Sequence, residues 1–362
     1  MRALLHFARS ACLATALSSV VARSATFDLQ TATVADIAAA MEAGALSSEK
    51  LVGLYIKRIE AYDKAGPKIN SIITLNPRAL EIARELDAER KAKGPRGPLH
   101  GVPVVLKDLF DTKDMPTSGG FLPLKDSVPL YDATVVARLR DAGAIIFAKV
   151  NMSDWFGSPK PGDQSTVLGR TNNPYNLDLS PGFSSGGTGA ALAAAFGHLG
   201  LGSETGVSIR NPTSNNSLVG LAPTRGLIPR TGQIMTSFTQ ERCGPMARTV
   251  YDVAAMTTVV SGFDAEDLLT ISSPGMTPKE PYTAFLDKNG LRGARIGVFR
   301  DLFRKGKSHA EGTAMIETAI AQMKEAGAVI IDPISTGLDL FTLLAETRTN
   351  YYEAQFSYNL YF

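Results

Sequence analysis

The sequence predicts an α/β fold, in which strands and helices alternate along the chain. Residues 102–106 and 144–150 are continuous apolar runs with the length of buried strands. Segments with a helical apolar period lie between and around these runs, and such alternation is typical of α/β proteins. The composition agrees with a globular protein, because 44% of the 362 residues are hydrophobic and 20% are charged.

Three helices are predicted before the first strand. Thr33 and Ser47 are N-cap candidates for the first two, because a hydroxyl oxygen can accept a hydrogen bond from a backbone N–H of the first turn. The third helix starts after residue 76 and continues to about residue 92, where Gly94 and Pro95 end it. These local signals set the element boundaries in this part of the chain.

The later part of the chain continues the alternation. Helices are predicted over residues 133–141, 190–196 and about 311–325, and strands over 295–299 and 329–331. Residues 154–187 and 202–217 instead carry many Gly, Pro, Asn and Ser residues and little periodicity. Long irregular connections inside a compact domain usually have a function, so these two stretches are the first places to look for a site.

Charge and residue counts exclude several classes of protein. The net charge is only +2, which gives no field suited to nucleic acid. The two cysteines, Cys12 and Cys243, exclude a disulfide framework and a cysteine-based zinc site. The four histidines leave little room for histidine-rich metal chemistry. No feature of the sequence implies a metal or an organic cofactor.

The first 25 residues have the pattern of a secretory signal peptide. Arg2 and Arg9 give a positive start, residues 11–21 are mostly apolar, and small residues near Ala22 suit a cleavage site. The apolar run is shorter than the roughly 20 residues that a spanning helix needs. We therefore expect a secreted or periplasmic protein, the alternative being an amphipathic helix that stays attached.

Residues 182–186 match the G-x-S-x-G pattern of an α/β-hydrolase, with Ser184 as the nucleophile. That pattern requires a strand directly before it, but residues 173–181 contain two prolines and make a poor strand. A base would have to be His198, only 14 residues downstream, or His309. A Ser184–His309 esterase stays as an alternative. A nucleotide site at the glycine-rich run 184–189 is disfavoured, since no Walker A or dinucleotide pattern is present.

Five segments, taken in order, resemble motifs of the amidase signature hydrolases. They are GVPVVLKD at 101–108, PGFSSGGTG at 181–189, LGSETGVSIRNP at 201–212, LVGLAPTRG at 218–226 and GPMARTV at 244–250. The resemblance covers about residues 30–335. It implies a mixed central β-sheet flanked by helices on both faces, and hydrolysis of a carboxylic amide to an acid and ammonia or an amine.

The resemblance also implies the roles of individual residues. Ser208 would be the nucleophile, Lys107 the general base, and Ser184 the bridging serine, preceded by a cis peptide bond. The backbone N–H groups of four residues would form the oxyanion hole: Thr205, Gly206, Val207 and Ser208. Substrate contacts are expected from Ser185, Gly186, Asp154 and Trp155, whereas Glu204 and Arg210 are expected to hold the loop.

This chemistry is coherent in physical terms. A serine hydroxyl is a weak nucleophile at neutral pH and needs an adjacent base. A lysine can act as that base when burial keeps its amine neutral, and Lys107 ends an apolar strand. Ser184 would relay the proton from Ser208 to Lys107, and no histidine is needed.

The sequence departs from the family pattern at three places. Phe183 and Val207 stand where the family usually has glycine, and the chain stops at Phe362, earlier than family chains do. A bulky residue disfavours a cis bond before Ser184, and a β-branched residue disfavours a positive φ before Ser208. A catalytically impaired binding protein or fragment is therefore the alternative to an active amidase.

The expected organisation is a signal peptide over residues 1–25 and one amidase signature domain over 26–362, incomplete at its C-terminus. The expected partner is a small-molecule amide, with neither nucleic acid nor a stable membrane span; a homodimer is allowed. The resembling family also includes the hydrolytic component of glutamine amidotransferases. The predicted signal peptide argues against that role, because such a component works where translation occurs.

Overall fold

The computed structural model describes residues 27–154, 164–303 and 306–362. The predicted signal peptide and Trp155 therefore lie outside the described residues. The helices are α1 Val34–Glu42, α2 Ser48–Tyr62, α3 Ala79–Lys93, α4 Thr134–Asp141, α5 Gly186–Ala193, α6 Arg210–Asn215, α7 Val250–Val260, α8 Lys307–Glu325, α9 Leu340–Glu346 and α10 Asn350–Tyr361. The strands are β1 Ile72–Leu75, β2 Pro103–Lys107, β3 Ile145–Val150, β4 Gln164–Ser165, β5 Gly169–Arg170, β6 Leu199–Glu204, β7 Val219–Gly220, β8 Arg242–Ala247, β9 Arg295–Phe299 and β10 Val329–Ile334.

The central sheet has six strands in the order β1-β3-β2-β6-β8-β7. Strands β3, β2 and β6 run parallel to one another, while β1, β8 and β7 pair antiparallel with their neighbours. Helices α3, α4, α5 and α7 pack against these strands. The prediction of an α/β fold with a mixed, helix-flanked sheet is confirmed.

The local capping signals at the start of the chain are confirmed. The Thr33 side chain accepts a hydrogen bond from the backbone N–H of Asp36, and the Asp36 side chain accepts one from the backbone N–H of Thr33, which completes a capping box. The Ser47 side chain accepts from the backbone N–H of Lys50 at the start of α2. Both hydroxyls satisfy N–H groups that a helix leaves unpaired at its first turn.

The sequence analysis missed strand β6, whose last residues lie in the stretch 202–217 that was predicted to be irregular. Two of its six residues, Gly200 and Gly202, have low strand propensity, which hides the strand. A Cβ added at Gly202 would lie 2.7 Å from Met246 Sδ and 3.0 Å from Ser185 Oγ. The glycine is therefore needed for close packing between β6, β8 and the start of α5.

The predicted strands 295–299 and 329–331 correspond to β9 and β10, which form a separate two-stranded parallel sheet. Helix α8 connects them, and most of their side chains are exposed. Helix α10 returns to the region of the central sheet. Glu353 accepts hydrogen bonds from Ser237 and Thr239, and the Tyr361 hydroxyl donates to Asp111 Oδ1 at 2.6 Å.

Among the described residues, no helix combines the length and the apolar character needed to cross a membrane.

Candidate active site

Polar side chains collect at one edge of the central sheet because two parallel strands end there side by side. Lys107 is the last residue of β2, and Ser203 and Glu204 are the last two residues of β6. The two strands are neighbours, with Leu106 opposite Leu201. The carboxyl ends of parallel strands meet at one edge, which is where open α/β sheets commonly bind ligands.

Lys107 is completely buried at this edge, and its amine contacts two serine hydroxyls. Lys107 Nζ lies 2.6 Å from Ser184 Oγ and 2.9 Å from Ser203 Oγ. It also lies 3.5 Å from the Ser203 carbonyl oxygen. The structure thus brings together Lys107 and Ser184, two of the three residues assigned to catalysis, although they are 77 positions apart in the chain.

Burial lowers the pKa of the Lys107 amine to about 7, because the apolar surroundings disfavour the charged form. The carboxyl groups of Glu241 and Glu204 act in the opposite direction and raise that pKa, but by less than burial lowers it. With a pKa near 7, a substantial share of the amine is neutral at neutral pH. A neutral amine has the free electron pair that a general base needs.

Ser184 lies directly before α5, and close helix-to-sheet packing positions it. A Cβ added at Gly187 would lie 2.1 Å from the carbonyl oxygen of Asn151, so only glycine permits this approach of α5 to the end of β3. The Ser185 hydroxyl donates to the Ser203 carbonyl at 3.1 Å and accepts from the Ser203 N–H at 3.3 Å. These bonds tie the start of α5 to the end of β6.

The peptide bond before Ser184 differs from the prediction. The one cis bond among the described residues is Asp332–Pro333, so the Phe183–Ser184 bond is trans. A trans bond avoids the roughly 3–4 kcal/mol that a non-proline cis bond costs. The Phe183 N–H donates to Asn211 Oδ1 at 3.1 Å, and its ring is half exposed. The Lys107–Ser184 contact forms in this backbone geometry.

Ser208 lies in the turn between β6 and α6 and is partly buried. Its hydroxyl makes no hydrogen bond to another described residue, so the link from Ser208 to Ser184 is not made in this structure. Catalytic hydrogen bonds are often long or absent before substrate binds. The role of Ser208 as the nucleophile stays a prediction.

The loop of residues 205–208 exposes backbone donors. The N–H groups of Gly206, Val207 and Ser208 have no hydrogen-bond partner among the described residues. The buried Glu204 carboxylate accepts from the N–H groups of Ile209 and Arg210, each at 3.0 Å, and from Arg210 Nε at 2.8 Å. Glu204 and Arg210 therefore hold the loop, as predicted, while the unpaired donors could bind an oxyanion.

Val207 does not adopt the positive φ that disfavours a β-branched residue. Among the non-glycine residues described, positive φ occurs at Lys68, Asn70, Ala195 and Ser217, and Val207 is not one of them. The Val207 carbonyl accepts from the N–H of Asn211 at 2.8 Å, and its side chain is 42% exposed. The objection that a β-branched residue cannot adopt the backbone before Ser208 is thus removed for this conformation.

The other residues that were predicted to contact substrate lie in different parts of the chain. Ser185 and Gly186 are buried at the start of α5. Asp154 Oδ2 accepts from the N–H of Thr166 at 3.0 Å, which ties it to the β4–β5 hairpin, and Trp155 lies outside the described residues. Contact of these residues with substrate stays a prediction.

The α/β-hydrolase alternative finds no support in the geometry. No strand lies directly before Ser184 in the described segment 171–183. His309 is exposed on α8, and His198 is buried against Tyr55, Arg248 and Asp252. In the described residues, no group of three or more His, Cys, Asp or Glu side chains is arranged to hold a metal ion.

The sequence analysis missed two residues of the site. Ser203 contacts the Lys107 amine, and Glu241 accepts a hydrogen bond from the Thr205 hydroxyl. Ser203 is hidden in the glycine-rich strand β6. Glu241 lies three residues before the motif at 244–250, and only the antiparallel pairing of β6 with β8 brings it opposite Thr205. The available signals were a serine inside the motif at 201–212 and an acidic residue just before the motif at 244–250.

Known proteins with similar sequences include amidases. The sequence model of the Amidase family matches residues 50–355. A putative amidase of Schizosaccharomyces pombe is 38% identical over 310 residues, which cover 83% of this chain and 52% of the relative. A probable amidase of Arabidopsis thaliana is 36% identical over 328 residues, which cover 88% of this chain and 61% of the relative.

A solved amidase structure is also similar to this chain in its fold. The native peptide amidase from Stenotrophomonas maltophilia matches with a TM-score of 0.82 and 38% identity, over 92% of this chain and 68% of that one. The chain spans about half to three fifths of the length of the two curated relatives named above.

Proposed function

This chain belongs to the amidase family, and from that premise we propose that it hydrolyses a carboxylic amide to an acid and ammonia or an amine. One observation carries the proposal: the fully buried Lys107 amine lies 2.6 Å from Ser184 Oγ at the sheet edge where the loop of residues 205–208 begins. That contact pairs a base whose pKa is lowered with a hydroxyl able to relay a proton.

In the proposed reaction, Ser208 Oγ attacks the amide carbonyl carbon. The Ser208 proton passes to Ser184 Oγ, while the Ser184 proton passes to neutral Lys107 Nζ. Two protons each move once, and the net result is a protonated lysine. The tetrahedral intermediate collapses when the C–N bond breaks, and the relay returns the proton to the leaving nitrogen. Water then attacks the acyl-enzyme by the same relay and releases the acid.

The negative charge on the carbonyl oxygen needs donors that are in place before the reaction. The unpaired N–H groups of Gly206, Val207 and Ser208 supply them, because the loop is held at its end by Glu204. Donors that are already oriented toward the developing charge need no reorganisation during the reaction, so they stabilise an oxyanion better than water does. In this proposal, substrate binding also brings the Ser208 hydroxyl within hydrogen-bond distance of Ser184.

The test is covalent labelling with a fluorophosphonate, followed by peptide mapping by mass spectrometry. We expect the label on Ser208, no label in Ser208→Ala, and normal labelling in the control Ser214→Ala, which changes an exposed serine on α6. An amide panel then measures turnover. Amide hydrolysis by Ser208→Ala at the wild-type rate would falsify the mechanism.

The same labelling distinguishes the amidase from an impaired, substrate-binding relative. In that alternative, Phe183 and Val207 prevent the chemistry, so a folded chain binds an amide analogue but takes no label. Val207→Gly would then restore labelling. The absence of positive φ at Val207 favours the active enzyme.

Proteins similar to this chain suggest which amides to test first. One is a peptide amidase, and the matches also include components of glutamyl-tRNA(Gln) amidotransferases. The panel therefore includes C-terminal peptide amides and free glutamine beside simple aliphatic and aryl amides. Ammonia release from a peptide amide and none from glutamine would favour the first class. The reverse result would favour the second.

We also propose that residues 1–25 direct export and that the protein acts outside the cytoplasm. Arg2, Arg9 and the apolar run 11–21 support this proposal. Expression of the whole chain followed by N-terminal sequencing of the secreted or periplasmic fraction tests it. A mature start near residue 25 is expected, whereas an intact Met1 in the cytoplasm would overturn it.

A further inference from the structure

Glu241 occupies a defined place opposite the candidate oxyanion loop. Strands β6 and β8 pair antiparallel with Ser203 opposite Cys243 and Glu204 opposite Arg242. One step further, Thr205 follows β6 and Glu241 precedes β8. Because side chains alternate between faces of a strand, Ser203 and Thr205 share a face, which is opposite to that of Glu204.

The contacts of Glu241 agree with this placement. Its side chain is completely buried, and one carboxyl oxygen accepts a short hydrogen bond from the Thr205 hydroxyl. The other oxygen lies 3.4 Å from Gln233 Nε2. The Glu241 backbone N–H donates to the Ser237 carbonyl at 3.1 Å, which fixes the segment before β8.

Two buried carboxylates therefore hold the two ends of one loop. Glu204 binds the N–H groups of Ile209 and Arg210, which follow the loop of residues 205–208. Glu241 binds the side chain of Thr205, its first residue. The unpaired N–H groups of Gly206 and Val207 lie between these two anchors.

Glu241 also acts on the lysine. Ser203 interacts with both the Lys107 amine and the Glu241 carboxyl group. The charged and polar groups that face Glu241 are Lys107 from β2, Ser203 and Thr205 from β6 and its loop, and Arg230 and Gln233 from the segment before β8. Burial raises the pKa of Glu241. The positive charges of Lys107 and Arg230 and the two hydroxyls act against that rise and favour the charged carboxylate.

We propose that Glu241 is a positioning residue, which anchors Thr205 at the start of the oxyanion loop and places a negative charge beside Lys107. This proposal depends on the proposed function only in its expected effect on turnover. Neither the anchoring nor the charge effect requires turnover, so both are measurable in a chain that proves inactive. The two effects predict different consequences for two single substitutions.

The first substitution removes the charge but keeps the acceptor. In Glu241→Gln the amide oxygen still accepts from Thr205, while the negative charge that favours the protonated lysine is lost. We expect the titration of Lys107, followed by NMR on chains labelled with ¹³Cε-lysine, to move to lower pH by about one unit. The Lys107→Met spectrum assigns the signal.

The second substitution removes the anchor but keeps the charge. Thr205→Val deletes the hydroxyl that binds Glu241. We expect faster hydrogen exchange, by about tenfold, at the amides of Ile209 and Arg210, which donate to Glu204 where the loop ends. The Lys107 titration should shift less than it does in Glu241→Gln. In an active enzyme, kcat should fall while KM changes little, because the oxyanion donors act in the transition state.

Asp111→Asn is the matched control, because Asp111 is a half-buried carboxyl group that contacts Tyr361 and has no contact with the loop of residues 205–208. It should change neither the Lys107 titration nor the amide exchange at the end of the loop. An unmoved Lys107 titration in Glu241→Gln, or unchanged amide exchange at the end of the loop in Thr205→Val, would overturn the corresponding half of the proposal. Failure of fluorophosphonate labelling with both effects present would instead count against the amidase mechanism.

Discussion

Two buried lysines lie on adjacent strands of the central sheet, and they differ in what surrounds them. Lys107 ends β2, and Lys149 is the second-last residue of β3; both side chains are completely buried. In the β2–β3 pairing, Lys107 lies opposite Val150 and Lys149 lies opposite Leu106. Side-chain alternation therefore places the two lysines on opposite faces of the sheet.

Their hydrogen-bond partners differ in chemistry. Lys149 Nζ lies 3.1 Å from Asp108 Oδ1 and donates to the Pro116 carbonyl at 3.0 Å and the Thr117 hydroxyl at 2.8 Å. The Thr117 hydroxyl donates its own proton to the Phe110 carbonyl at 3.1 Å, so it accepts from Lys149 as the carboxylate and the Pro116 carbonyl do. Three acceptors require three N–H bonds, which an ammonium ion has and a neutral amine lacks. Lys149 thus serves as a structural cation.

Lys107 contacts the hydroxyls of Ser184 and Ser203. A hydroxyl group both donates and accepts, so the Lys107–Ser184 contact survives when the lysine gains or loses a proton. Burial lowers the pKa of both lysines. The comparison teaches that burial alone does not make a base; the partner must also tolerate both protonation states.

The largest expected effect is on catalysis by Lys107→Met. Without the base, kcat/KM for an amide should fall by about 10⁴-fold. The fold should persist with some loss of stability, because Lys107→Met leaves the hydroxyls of Ser184 and Ser203 without this partner and removes a positive charge that faces the buried Glu241. Steady-state kinetics and a thermal melt measure the two quantities. Retained activity would show that Ser184 is not relaying a proton to this lysine.

Lys149→Met should lower stability rather than act directly on catalysis. It leaves the Asp108 carboxylate buried without its cation, so the free energy of unfolding should fall by about 3–5 kcal/mol. Urea unfolding followed by circular dichroism measures this loss, and the double variant Asp108→Asn with Lys149→Met should recover part of it. If Lys149→Met unfolds like the wild type but loses turnover as Lys107→Met does, the distinction between the two lysines is wrong.

The pH profile sharpens the comparison further. Lys107 acts as a base only when neutral, and its pKa is lowered to about 7. Below that pH the amine gains a proton, so kcat/KM should fall about tenfold per pH unit; above about pH 8 it should level off. Initial rates between about pH 5 and pH 9 test the direction of this pH dependence. A rate that falls as pH rises through 7 contradicts a lysine base.

The smallest effects come from a pair of hydroxyl substitutions. Ser203→Ala removes one partner that orients Lys107 and should lower kcat by about ten- to a hundredfold. Thr117→Val removes one partner of Lys149 and should leave kcat unchanged, but it should cost about 1–3 kcal/mol of stability. Kinetics and urea unfolding on both variants check the contrast, which fails if the two proteins change in the same way.

Much of the fold could be predicted from local patterns. Strand β9 was predicted with the bounds it has, and strands β2 and β3 and helix α4 within a residue at either end. The predicted helix 190–196 is α5, which starts four residues earlier, because three glycines at its start hide the helical pattern. Strands β1, β6 and β8 were missed, since their residues lack a continuous apolar run.

The candidate site was predicted through motifs whose order resembles a family, and this gave Lys107, Ser184 and the loop of residues 205–208. The trans bond at Phe183–Ser184 and the backbone of Val207 were not predictable from that resemblance. Backbone conformation depends on neighbours such as Asn211, whose contacts with Phe183 and Val207 are not encoded in the motif.

By itself, the sequence determined where the first two helices begin, which runs are apolar enough for strands β2 and β3, and that one lysine ends a buried strand. Caps and periodicity act over a few residues, so local order is enough to determine them. Only the tertiary structure decided that Lys107 meets Ser184 and Ser203, that Glu241 meets Thr205, and that Lys149 pairs with Asp108. Those contacts depend on strand order and register, which bring together residues far apart in the chain and exclude water around them.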